Sequence, residues 1–221
     1  MKTDNRIKVC HFTSAHNQLD DRIYLKECTA LANAGYDVFI VARGESHNIN
    51  GISIIGCGEP RGRRNRMFHF SQKIYLAALK LDCDIYHFHD PELLPYGVKL
   101  KRKGKMVIFD SHEDVPAQII DKTWIPKMLR SVISTVYKTY ETYAVKRFDA
   151  TITATPYIAK QFENRARNIT VINNYPQLDD IVFQKIPFVD RNRVVCYVGG
   201  ISKERGEQLM IDAMKNVDGV L

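Results

Sequence analysis

Histidines and carboxylates recur just past a series of short apolar runs, where side chains can transfer protons, orient a ligand or hold a metal. Ser14, His16, Asp20, Asp21 and Arg22 follow the first run. A later run carries His87 and leads into His89, Asp90 and Glu92, and the next leads into Asp110, Ser111, His112, Glu113 and Asp114. Thr153 and Thr155 close a further one. His112 can accept a hydrogen bond, shuttle a proton or support a developing charge near neutral pH. His87 and His89 lie two apart and share one face of a strand. Joined by His112 and an aspartate, they would offer the nitrogen and oxygen donors that zinc takes. The plainer reading makes His87 a hydrogen-bonded core histidine and turns His89 toward a cleft, and it is preferred because H-x-H alone is not a full ligand set. No metal is therefore expected.

Two further segments have a chemical bias. In VGGISKERG, Val198–Gly206, Gly199 and Gly200 let backbone approach a ligand at a helix start, and Lys203 and Arg205 add positive charge. That suits a phosphate or pyrophosphate; an ordinary strand-to-helix turn has the same pattern. Pro60–Lys80 contains Arg61, Arg63, Arg64, Arg66, Lys73 and Lys80 with no acidic residue, interleaved with Met67, Phe68, Phe70 and Tyr75. Anionic lipid, nucleic-acid phosphate or plain solvent would each match it. G-x-S-x-G, a P-loop and an initial G-x-G-x-x-G are absent from the sequence. This argues against a serine hydrolase, a P-loop nucleotidase and a nicotinamide dehydrogenase.

The elements that must position these residues alternate along the chain. Strands are predicted at Arg6–Thr13, Asp37–Ala42, Ile52–Cys57, Asp84–Phe88, Met106–Asp110, Ala150–Ala154, Ile169–Asn173 and Val194–Val198. Their nearly continuous apolar character suits parallel strands covered on both faces. Helices are predicted at Asp21–Ala34, ended by Gly35, at Pro91–Lys103, ended by Gly104, and at Pro156–Asn164, capped by Thr155. The clearest helical pattern runs from Trp124 to Phe148, with Ile125, Leu129, Val132, Ile133, Val136, Tyr137, Tyr140 and Ala144 in one stripe. A last helix would place Leu209, Met210, Ala213, Met214 and Val217 together. The order predicts an α/β fold, a Rossmann-like doubly wound parallel sheet whose ligands meet the carboxyl ends of the strands. Residues 1–174 would form that domain, 175–192 a linker, and 193–221 the first strand and helix of a second domain, since one strand and one helix enclose no core.

Composition agrees with a soluble globular protein: of 221 residues, 45% are hydrophobic and 26% charged, with a formal net charge of +7. The five cysteines form no CxxC pair, which fits a reducing cytoplasm better than a disulfide framework or a zinc ribbon. No signal peptide or membrane span is read from the sequence.

Five segments together resemble glycosyltransferase family 4. They are DDRIYLKECTALANAGYDV (Asp20–Val38), DIYHFHDPELLPYG (Asp84–Gly97), VIFDSHED (Val107–Asp114), ATITATPYIAKQF (Ala150–Phe162) and YVGGISKERG (Tyr197–Gly206). The resemblance implies a retaining enzyme of the GT-B fold, with an N-terminal acceptor-binding domain and a C-terminal domain for the nucleotide sugar. His112 corresponds to the histidine lining the acceptor side of the catalytic cleft. Asp20, Arg22, His89, Asp90, Glu92 and Glu113 are the candidate acceptor-binding residues. Gly199 corresponds to the glycine facing the donor diphosphate, and Arg205 stands where the family usually has a lysine. Gly200 departs from the arginine of many members, with Lys203 as a compensating cation. The glycine-rich first loop is replaced by Ser14–Arg22, and the paired glutamates of the donor site would lie beyond Leu221.

The implied reaction moves a sugar from a nucleotide-sugar donor to a glycan or lipid-linked acceptor in surface polysaccharide synthesis. It needs no cofactor besides that donor substrate. The chain alone would be inactive. It would be cytoplasmic, meeting the anionic inner face of the plasma membrane through Arg61–Lys80, and nucleic acid is the disfavoured partner. A metal-dependent hydrolase using His87, His89 and His112, a non-catalytic sugar-binding module and a GT-B nucleotide-sugar epimerase remain alternatives.

Overall fold

The computed structural model describes residues 6–176, 186–192, 194–199 and 206–217. They divide into two compact units, 1–174 and 175–221. The first unit is built on an eight-stranded sheet. Its strands are β1 (Lys8–Phe12), β2 (Asp37–Ala42), β3 (His47–Ile49), β4 (Ile52–Gly56), β5 (Ile85–Phe88), β6 (Met106–Ser111), β7 (Ala150–Thr153) and β8 (Ile169–Val171). The spatial order is β3-β4-β2-β1-β5-β6-β7-β8. Every pair is parallel except β3 with β4. The chain winds outward from β1 to one side through β2 and then to the other through β5. Loops after β1 and β5 therefore part from one another at the centre of the sheet, where such folds leave a crevice.

The hairpin β3–β4 is absent from the sequence reading, although its turn is legible: Asn50 (φ 51°) and Gly51 (φ 77°) are both left-handed, the conformation a two-residue hairpin requires. Helices follow their capping signals more closely. Gly35 and Gly104 lie at positive φ just past helices, and the Thr155 hydroxyl accepts from Ile158 N at 3.2 Å to open helix Pro156–Phe162. The predicted helix after β1 begins as a wider, π-wound segment, Asp21–Cys28, and becomes α-helical over Thr29–Asn33. Helix Val115–Asp121, with Asp114 accepting from Ala117 N, lies between β6 and the long helix and is not anticipated.

Side-chain alternation divides the central strands between two faces. Phe12, Tyr86, Phe88, Phe109, Phe148 and Phe162 fill a dry aromatic core on one. Ile23, Tyr24, Cys28, Val38 and Ile40 form a smaller core under the Asp21–Cys28 helix. Two expected apolar faces are not buried. Helix Lys127–Val145 sinks Glu141, Ala144 and Val145, but Met128, Leu129, Val132 and Val136 are exposed, Met128 to 90%. The stripe has the right period, but only the C-terminal part of the helix reaches the core. In the second unit, residues 194–198 belong to no strand, contrary to the sequence expectation, because no strand among the described residues offers them a ladder. Helix Glu207–Met214 leaves Leu209 and Ile211 exposed.

Candidate functional site

His16 and His112 meet at the carboxyl ends of the central strands, Nε2 to Nε2 at 3.2 Å. His16 Nδ1 lies 3.0 Å from Asp20 Oδ2, and Asp20 Oδ1 accepts from the backbone N–H groups of Arg22 and Ile23 as the helix cap. The Asp20 hydrogen bond raises the His16 pKa above its ordinary value against the effect of burial. Burial lowers that of His112. The 3.2 Å separation is that of a hydrogen bond between the two rings, whose direction follows from which of them carries the shared proton. His112 Nδ1 is shielded and has no hydrogen-bond partner among the described residues.

The other predicted residues separate by task. Asp90 is buried and accepts from the Thr13 hydroxyl at 2.8 Å, from Ser14 N and from Ala15 N at 3.2 Å. It shapes the turn that carries His16. Glu92 accepts from the Ser14 hydroxyl at 2.9 Å and pairs with Arg66 Nε at 3.1 Å, which places the basic helix segment beside this rim. Glu113 is exposed. Gly199 is exposed in the second unit, whereas Gly200, Lys203 and Arg205 lie outside the described residues.

Arg22 and His89 lie beneath the rim. Arg22 donates through Nε and Nη2 to the two oxygens of Asp110, at 2.7 and 2.9 Å, and through Nη1 to Ile172 O at 2.8 Å. Burial works to raise Asp110, but hydrogen bonds from His89 and Arg22 hold it well below the usual carboxylate range. His89 has a fully buried side chain. It faces His11 at 3.1 Å and Asp110 at 3.2 Å, so the structure does not turn it toward an open cleft. His87 is in register with His11 across β1 and β5, and Glu27 closes the group from the Asp21–Cys28 helix. His112, engaged with His16, is not in this cluster, so the ligand set His87, His89, His112 considered from the sequence is not the one assembled. Of the missed members, His11 did leave a trace, as a polar residue between Cys10 and Phe12 in an apolar strand, whereas Glu27 follows Lys26 and had no such signal. Their meeting depends on the strand order.

An open groove of about 650 Å³ runs between helices Val115–Asp121 and Lys127–Val145. It is lined by Asp114, Ser134, Thr135, Lys138, Thr139 and Gln161 among others. Asp114 is two residues along the chain from His112.

Residues 22–175 match the family model of Glycosyltransferase Family 4. No curated protein matches the chain. Among solved structures it is similar to sucrose-phosphate synthase from Thermosynechococcus elongatus, at TM-score 0.72 and 16% identity over 96% of this chain and 60% of that one. A second structure of sucrose-phosphate synthase from Thermosynechococcus elongatus matches at TM-score 0.53 and 12% identity, over 75% of this chain and 88% of that one. At these identities the likeness is one of fold, and the chain spans 60% of the first of these structures.

Proposed function

The chain belongs to glycosyltransferase family 4, and on that premise we propose that its first unit is the acceptor-binding half of a retaining enzyme of surface polysaccharide synthesis. The sugar would come from a nucleotide-sugar donor, and a glycan or lipid-linked acceptor would be held beside His112. The observation that carries this reading is the Asp20–His16–His112 chain at the carboxyl ends of the central strands. The hydroxyl-lined groove starting at Asp114 suits a polyhydroxylated ligand. In such a reaction the enzyme holds donor and acceptor together, excludes water and stabilises the departing diphosphate with cations and a helix N-terminus. Gly199, Gly200, Lys203 and Arg205 take that last role here by resemblance.

The test is transfer itself. The full-length protein, offered a panel of nucleoside-diphosphate sugars with glycan and lipid-phosphate acceptors, is expected to form a product with retained anomeric configuration by NMR. Inversion would remove the retaining assignment, and intact donors throughout the panel would leave a sugar-binding module.

A membrane-facing acceptor side completes the reading. No helix among the described residues is long and apolar enough to cross a membrane, so contact would be peripheral. Arg61, Arg63 and Arg64 are exposed at the start of the basic segment, with Phe68 66% exposed beside them. Arg63 lies 4.8 Å from the ring centroid of Trp124, which precedes the exposed Met128, Leu129, Val132 and Val136. Cations next to exposed apolar side chains suit an anionic leaflet, at about 1 kcal/mol per cation. Changing Arg61, Arg63 and Arg64 to serine is expected to weaken binding to anionic vesicles by about a hundredfold, from roughly 3 kcal/mol lost. Arg66 is left in place because it holds Glu92. Equal sedimentation of variant and wild type at low salt would reduce the segment to a solvated face.

A further inference from the structure

We propose that His11, Glu27, His87 and His89 form a closed site for one divalent cation of the zinc class, set beneath the rim between β1, β5 and the Asp21–Cys28 helix. One donor atom from each of the four lies within 4.8 Å of all the others. His11 Nδ1 is 3.1 Å from His89 Nε2. Glu27 Oε2 lies 3.7, 3.9 and 4.0 Å from His11 Nδ1, His89 Nε2 and His87 Nδ1. Four ligands at about 2.0–2.1 Å around a tetrahedral zinc ion are spaced roughly 3.3–3.4 Å apart. The cluster is therefore near its liganded size, and rotation of the Glu27 side chain draws in the longer edges.

The hydrogen bonding supports a missing cation independently of these distances. The Glu27 side chain is 9% exposed, and both of its shielded oxygens lack a hydrogen-bond partner among the described residues. Arg22 Nε stands 3.2 Å from Glu27 Oε1, but its directed bonds go to Asp110. A buried carboxylate with no directed hydrogen bond is costly. Three imidazoles stack in the same space, with His11–His87 and His87–His89 centroids 4.4 and 4.7 Å apart. A cation would use the carboxylate charge and the imidazole lone pairs together.

The surroundings also match a metal site. His89 Nδ1 faces Asp110 at 3.2 Å, which fixes the tautomer that leaves Nε2 free to coordinate, and the bidentate bond from Arg22 immobilises Asp110. A carboxylate behind a ligating histidine is the usual support of such a centre. The four protein groups leave no open position, so the ion would be structural. It would join β1, β5 and the helix whose cap, Asp20, holds His16. The H-x-H pair by itself lacks further ligands; in this site they would come from β1 and the π-wound helix.

The test uses the purified chain, stripped with chelator and titrated with Zn²⁺ or Co²⁺. One equivalent is expected to bind, with a raised melting temperature, visible four-coordinate Co²⁺ absorption and X-ray absorption showing imidazole and oxygen scatterers only. Glu27→Gln and His87→Gln should each weaken binding by at least about tenfold, while His112→Ala and Cys196→Ser bind as wild type. No bound ion in excess metal, sulfur in the coordination shell, or unchanged affinity in a folded Glu27→Gln or His87→Gln variant would overturn the site. If those variants do not fold, the wild-type X-ray absorption decides: three imidazoles support the site, and fewer overturn it.

Discussion

His112→Ala in the full-length protein is expected to lower sugar transfer by roughly ten- to a thousandfold, the range for losing one positioned polar or proton-transferring group. Its stability should change little, because the side chain is only partly buried and its hydrogen bond is to His16 at the rim. The pH dependence gives a second readout. Burial depresses the His112 pKa, so the neutral ring persists below the ordinary histidine value of about 6.5. A rate that depends on that ring should hold through neutral pH and fall only as pH drops through the depressed value. His112→Gln separates the two roles, since it can keep a hydrogen bond but cannot move a proton. Equal loss in both variants assigns proton transfer, and an unchanged rate in His112→Ala would make the residue structural.

Arg22→Ala should destabilise the fold by roughly 3–5 kcal/mol, the cost of removing one partner from a buried ion pair. The guanidinium is the direct cationic partner of the fully buried Asp110 and also stands next to Glu27. Its third bond, to Ile172 O, ties the helix after β1 to the chain following β8. Without it two carboxylates face each other in a dry interior. Arg22→Lys keeps the charge but not the fork, and should lose less than alanine does. Urea unfolding of the 221-residue chain measures both. A loss below about 1 kcal/mol for alanine would mean that Asp110 finds another partner. Asp110 has a depressed pKa, so its contribution is present above the unfolded value of about 3.9 and is lost as pH falls below it.

These two residues also show how far the sequence could be read. Each stands at the end of a strand or the start of a helix, and local signals reach that far: apolar runs mark the strands, Asp20 caps its helix, and Gly35 and Gly104 end theirs. From them follow a parallel doubly wound sheet and a polar rim at its carboxyl edge, because short apolar strands separated by helices have few other ways to bury both faces. Which rim residues face a ligand is decided by long-range contact. Asp90 and Glu92 read as binding residues, but much of their hydrogen bonding goes to the Thr13–Ala15 turn. Arg22 and His89 pass below the surface because Asp110, 88 and 21 residues away, is there to receive them.

Burial was hardest to foresee. The 3.6-residue period of Leu129, Val132 and Val136 requires a helix with an apolar face, but nothing in that period says whether the core extends far enough to cover it. The sequence alone therefore determined the fold class and the family, since these depend on local pattern and on motifs in order. Only the tertiary structure joined His16 to His112 and brought His11 and Glu27 to His87 and His89. Those contacts depend on β1 and β5 being neighbours and on a π-wound turn directing Glu27 inward, and neither is written in any short stretch of chain.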